Sequence, residues 1–255
     1  MEFPFRPSTL ADREHFYTED FDIMKLRQWF VRQPQFFGID LGSETGITTD
    51  PSKKMKIILL QGLSPAELRQ RMIKYLPEDV YYDTTRYKNP SLCASCKGKN
   101  CYACENFLGR ELVFDIDPEN IECPVCGKKE YPKFCKYCLK ISLDRGVYLR
   151  NYLTRNLGYK DVRLVYSGRG CHVHVLDENA FKLSQEERQR MARNFKLYSI
   201  DPWVTTKKRL IRLPYSLNAM VSRIVIPINP DEISSFDATK DSRVIPCFLR
   251  CYSRT

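Results

Sequence analysis

The chain lacks any apolar run long enough to cross a bilayer. Its longest uninterrupted aliphatic stretch is Ile57-Ile58-Leu59-Leu60, far short of the roughly 20 apolar residues that a spanning helix needs. A helical membrane protein is therefore excluded. The opening residues, MEFPFRPSTL, lack a basic segment followed by an apolar core of roughly 7 to 15 residues, so no secretory signal is visible and a cytoplasmic location is expected. There is no low-complexity tract. Acidic residues are outnumbered, 31 against 41 Lys and Arg, for a formal charge of +10, an excess that suits a polyanionic partner. Histidine is scarce, with three in 255 residues. With 43% hydrophobic and 28% charged residues the composition is that of a globular protein rather than a disordered one, and the length allows one large domain or two small ones.

Cysteine is the residue present in excess. Eight of the eleven fall into four Cys-x-x-Cys pairs: Cys93/Cys96, Cys101/Cys104, Cys123/Cys126 and Cys135/Cys138. An odd total without a secretory signal argues against a disulfide framework, whereas two-residue spacing lets two thiolates from one tight turn reach a single tetrahedral metal. Residues 123–138 have the form of a zinc ribbon, and the tighter set at 93–104 is read as a second zinc site. Four sulfur ligands leave no open coordination position, so both ions would be structural. The bland reading is reduced thiols or a redox pair. Cys171, Cys247 and Cys251 stand apart.

Helices and strands alternate along the chain, which indicates an α+β fold. Ser64-Pro65-Ala66-Glu67 is a capping box with proline at the first helical position, predicting a helix to about residue 76. Ser184-Gln185-Glu186-Glu187 opens another, predicted to reach about residue 197. Between them, Ile141, Val147, Leu149, Tyr152, Leu153 and Leu157 recur at near-helical spacing, with Gly158 as the stop. Strands are expected at 79–85, 111–117, 162–167, 171–176 and 223–228.

Three stretches carry candidate chemistry. In ELVFDID, residues 111–117, strand alternation puts Asp115 and Asp117 on one face and Phe114 and Ile116 on the other. Two carboxylates converging on one point suit a divalent cation; the alternative is a strand end entering the turn at Pro118. In VYSGRGCHVHV, residues 165–175, a strand enters a Gly-x-Gly turn and leaves as another strand. Ser167 and Arg169 offer donors suited to phosphate, and His172 and His174 share a face, with His174 the better candidate for a core residue. Residues 182–223 hold ten Lys or Arg and three Asp or Glu, a +7 concentration suited to a nucleic-acid backbone or nucleotide phosphate. For Arg188, Arg190, Arg193 and Lys196 a solvated helix face is the plainer reading.

Taken in order, VFDID at 113–117, SGRGCHVHV at 167–175, and Asp201 followed by RLIRLPYSLN at 209–218 resemble the catalytic small subunit of archaeal and eukaryotic-type replicative DNA primases. VYYDTTRYKNP at 80–90 resembles that family's strand before the catalytic one, and the cysteines after the DxD strand are placed like its zinc motif. The resemblance implies an RRM-like catalytic core of mixed and antiparallel sheets flanked by helices, a single catalytic domain over 1–255 with a zinc-binding segment at 123–138; the zinc-binding segment at 93–104 is expected from its cysteine spacing alone. It implies that Asp115, Asp117 and Asp201 are the catalytic carboxylates holding Mg²⁺ or Mn²⁺. It also implies that Ser167, Arg169, His172 and Arg212 bind the nucleotide, with Arg209 and Lys208 as further phosphate or template candidates. The implied reaction is templated synthesis of short primers. The implied partners are a single-stranded DNA template, NTPs or dNTPs, and a large subunit or a fused C-terminal domain. A primase-like polymerase for repair, plasmid replication or damage bypass, and a non-catalytic zinc-bearing nucleic-acid-binding module, are the alternatives. The family's Ser-Leu-His is Ser216-Leu217-Asn218 here, and the extra cluster at 93–104 falls outside its usual pattern.

Overall fold

The computed structural model describes residues 2–42, 57–93, 101–127, 134–201 and 210–251. In chain order the strands are β1 (Phe36–Asp40), β2 (Ile57–Gln61), β3 (Asp79–Asp83), β4 (Thr85–Tyr87), β5 (Phe107–Arg110), β6 (Leu112–Ile116), β7 (Val162–Tyr166), β8 (Cys171–Val175), β9 (Leu210–Arg212), β10 (Leu217–Asn218), β11 (Arg223–Ile224) and β12 (Ile226–Ile228). The α-helices are α1 (Leu10–His15), α2 (Ile23–Trp29), α3 (Pro65–Tyr75), α4 (Pro90–Cys93), α5 (Lys136–Arg155), α6 (Glu178–Phe181), α7 (Gln185–Asn194) and α8 (Cys247–Cys251). This is a mixed α+β fold in which the pairs β1–β2, β1–β3, β4–β5, β6–β8, β7–β8 and β10–β11 are antiparallel. Among the described residues no helix is long and apolar enough to cross a membrane. The chain divides into two compact units: residues 1–82, 212–226 and 234–255, and residues 83–211 and 227–233.

In the first unit β1 is the middle strand, paired with β2 on one side and β3 on the other. Ile39 and Val80 pair across β1 and β3 and are fully buried, as are Phe16, Tyr17, Leu68, Met72 and Tyr82. Helix α3 begins where its capping box places it: Ser64 accepts from the Glu67 amide, and the Glu67 carboxylate accepts from the Ser64 amide. A second box, Thr9 with Asp12, opens α1. Arg223 is fully buried and donates to the carbonyls of Phe3, Pro4, Val221, Ser222 and Ala238. Its charge is thereby dispersed over peptide dipoles, and the N-terminal segment is tied down.

The second unit is built on the sheet β12-β7-β8-β6. One face is apolar, formed by Leu112, Phe114, Ile116, Leu164, Tyr166, Cys171, Val173 and Val175, all buried. Helix α5 covers this face. Gly146 marks the contact, since a Cβ there would stand 2.6 Å from the Cys171 Sγ and 2.7 Å from a Leu164 methyl. Alternation turns Val113, Asp115, Arg163, Val165, His172 and His174 to the opposite face. Helix α7 starts at its predicted box, but it stops at Asn194 and continues as a 3₁₀ turn over Lys196–Tyr198 rather than as α-helix. Two predicted strands are broken. Between β3 and β4 the Asp83 carboxylate accepts the Thr85 amide in a local turn. Between β11 and β12, Val225 instead exchanges backbone hydrogen bonds with Tyr215 and Ser216.

Candidate active site

Asp115 lies on β6 directly opposite His172 on β8, with His172 Nε2 3.5 Å from Asp115 Oδ1. Phe114 and Ile116, the residues flanking Asp115, are fully buried under α5. Asp115, on the opposite face of β6, and Asp117, just beyond its end, remain partly accessible. The third carboxylate comes from far along the chain. Ile200 bridges to Ile116 in antiparallel fashion, and the amide of Asp201 donates to the carbonyl of Asp115 at 2.9 Å. Three aspartates therefore belong to one strand end. The Cys171 thiol, on the next strand, is pushed well up by burial and then by the negative charges of Asp115 and Asp117. A donor set of carboxylate oxygens fits a hard divalent cation such as Mg²⁺ or Mn²⁺. The carboxylates are not drawn around one point as tightly as the four sulfurs described below.

The β7–β8 connection, Ser167 to Gly170, sits against this strand end. The amide of Ser167 donates to the Gly170 carbonyl at 3.1 Å, and the Tyr166 hydroxyl donates to the Gly168 carbonyl at 2.6 Å. Gly170 touches β6 so closely that a Cβ would stand 2.3 Å from the Ile116 carbonyl oxygen. Only glycine permits that approach. Arg169 is ion-paired with Glu119, a residue of the 3₁₀ turn Pro118–Asn120 that follows Asp117.

Arg212, in the other unit, is ion-paired with Asp79 and lies over the Tyr81 ring at 5.4 Å. The Tyr81 hydroxyl donates to the same Asp79 carboxylate at 3.2 Å. Asp40 pairs with Asp79 across β1 and β3, and its carboxyl is raised mainly by burial, with the Asp79 charge adding to the shift. Asp79 and Glu119, the carboxylate partners of Arg212 and Arg169, carry no sequence signal of their own. Only the pairing reveals them. Arg209 and Lys208 lie outside the described residues.

The four thiols of Cys123, Cys126, Cys135 and Cys138 converge, with all sulfur atoms within 4.8 Å of one another. The separations are 3.9 Å for Cys123–Cys135 and 3.5 Å for Cys126–Cys138. A tetrahedral ion with metal–sulfur bonds of about 2.3 Å requires sulfur separations of about 3.8 Å, so the set fits zinc. Burial opposes ionisation of Cys123, but hydrogen bonds from the amide of Cys126, the thiol of Cys138 and the amide of Val125 outweigh it and lower its pKa to about 6. In the other cluster, Cys96 and the side chains of Cys93 and Cys101 lie outside the described residues, and Cys104 is exposed.

A family model for the DNA primase small subunit matches residues 114–228, the span from β6 through β12. An uncharacterized DNA primase small subunit-like protein of Archaeoglobus fulgidus is 40% identical over 258 residues, covering 96% of this chain and 91% of the relative. The chain belongs to the DNA primase small subunit family. The DNA primase small subunit PriS of Pyrococcus horikoshii is 30% identical over 73% of this chain, and that of Pyrobaculum calidifontis 33% identical over 53%. The chain spans less than half the length of these two primase subunits, 48% and 41%. Among solved structures, the polymerase domain of Mycobacterium tuberculosis ligase D in complex with DNA superposes with a TM-score of 0.56 over 97% of this chain and 89% of that one, at 15% identity. That likeness is one of fold.

Proposed function

We propose that the protein is a DNA-dependent nucleotidyltransferase that makes or extends short primers on a single-stranded DNA template. The observation behind this reading is the meeting of Asp115 and Asp201 at the end of β6, with Asp117 two residues on and His172 across the strand pair. In this reading Asp115, Asp117 and Asp201 hold two divalent cations, and the whole chain acts as one catalytic domain. Such cations, when bound, activate the attacking 3′-hydroxyl and stabilise the charge that develops as pyrophosphate leaves.

The chain's own groups supply the remainder. The hydroxyl of Ser167 and the guanidinium of Arg169 are donors for the incoming triphosphate, presented by a turn that Gly170 seats against β6. His172 is a neighbouring donor on the carboxylate face. Arg212 and Arg209 are assigned to phosphate by the family motif, with NTPs or dNTPs as substrates. A non-catalytic binding module is disfavoured, because carboxylates clustered beside a polyanion weaken simple binding.

Within this class, a polymerase that extends primers is the second reading. We expect the chain alone to extend a primed template more efficiently than it starts chains on an unprimed one, with initiation supplied by a large subunit or a further domain. Comparing products on primed and unprimed single-stranded DNA tests this. Efficient unaided initiation would contradict the dependence on a partner.

A further inference from the structure

Arg169 and Arg212, the two described arginines assigned to phosphate, are each engaged by a carboxylate, but the two pairs differ in surroundings. The Asp79 side chain is 15% exposed and also accepts from Tyr81. The Glu119 side chain is 38% exposed, while Arg169, which it contacts, is 14% exposed. A part-exposed carboxylate can rotate into water at little cost, because exposed ion pairs contribute little to stability.

The backbone around this pair is fixed on both sides. Glu119 sits in a 3₁₀ turn opened by Pro118 and closed by amide donation from Asn120 to Asp117 and from Ile121 to Pro118, both at 3.1 Å. Arg169 sits between Gly168 and Gly170, and the position a Gly170 Cβ would take lies 3.3 Å from Pro118 Cδ. The turn and the loop are therefore in contact, and opening the ion pair requires side-chain rotation alone.

Building on the nucleotide-site reading above, we propose that Glu119 is an internal competitor for phosphate at Arg169 and so sets nucleotide affinity. Without nucleotide its carboxylate engages the guanidinium. An incoming triphosphate takes over the guanidinium, and Glu119 turns out into solvent. Glu119 sets affinity on this account and takes no part in the chemistry. Its negative charge also opposes the approaching phosphates, so both effects of removing it have the same sign.

The test is equilibrium binding of a non-hydrolysable nucleoside triphosphate to the full chain, comparing wild type, Glu119→Gln, Arg169→Ala and the double variant. Glu119→Gln should bind up to about fivefold more tightly, the range expected for releasing an exposed ion pair. Arg169→Ala should bind more weakly, and adding Glu119→Gln to it should recover little. Weaker or unchanged binding by Glu119→Gln, with Arg169→Ala still impaired, would overturn the competitor role while leaving the nucleotide site standing. A gain that persists in full without Arg169 would mark a general charge effect and overturn it as well. Unimpaired binding by Arg169→Ala would remove both the competitor and the nucleotide-site assignment.

Discussion

His172 and His174 are two residues apart on one strand face, their rings 5.7 Å apart, yet their neighbours differ. His172 faces Asp115, whereas His174 is fully buried opposite Val113 and Arg163. Burial first, and then the Arg163 charge, lower the His174 pKa from an ordinary 6.5 to about 3. It is therefore neutral in the folded protein at any pH near neutrality. Between those two values the unfolded chain binds a proton that the folded chain does not, so stability falls as pH drops below about 6.5, by about 1.4 kcal/mol per pH unit. Denaturant unfolding at pH 7 and pH 5 should show this loss, and His174→Phe should lack it. Equal pH dependence in both would contradict a buried neutral His174. The sequence reading takes His174 rather than His172 as the core residue; alternation places both on one face, and the structure buries both, His174 completely. The partnership of Arg169 with Glu119 was not visible, because it depends on a turn meeting a loop 50 residues away.

At the scale of elements, what was legible followed local rules. The capping boxes at Ser64 and Ser184 and the apolar periodicity of α5 are written in short windows, and so are strands β6, β7 and β8. Strand β1 (Phe36–Asp40) was missed because it is buried along its whole length and shows no alternation. The place of Asp201 beside Asp115 is tertiary, since it depends on the Ile116–Ile200 bridge. The cysteine segment joins the two kinds of information. Cys135 and Cys138 flank and enter the first turn of α5, while Cys123 and Cys126 belong to the preceding loop. An ion bound there would fix the start of the helix that covers the sheet. Elemental analysis should give about two zinc ions per chain, one for each cysteine segment, and Cys126→Ser should lower the count by one and the melting temperature with it. Zinc content unchanged by Cys126→Ser would refute the assignment at 123–138. A wild-type content of one would remove the site at 93–104.

At the scale of the whole molecule, the charge balance and the site fit one activity. A net charge of +10 favours a nucleic-acid partner, and three aspartates at one strand end would be a liability in a protein that only binds one. The central claim is that those carboxylates serve catalysis, and Asp115 is the one whose main chain and side chain both face functional neighbours, Asp201 and His172. Asp115→Asn keeps size and hydrogen-bonding capacity while removing the charge a cation needs. The deciding measurement is primer extension by Asp115→Asn on a single-stranded template, made alongside its affinity for the same DNA. The account predicts at least a hundredfold loss of rate, about 2.7 kcal/mol of transition-state stabilisation, with DNA affinity equal to or above wild type. Extension at near wild-type rate by a folded Asp115→Asn protein would contradict it.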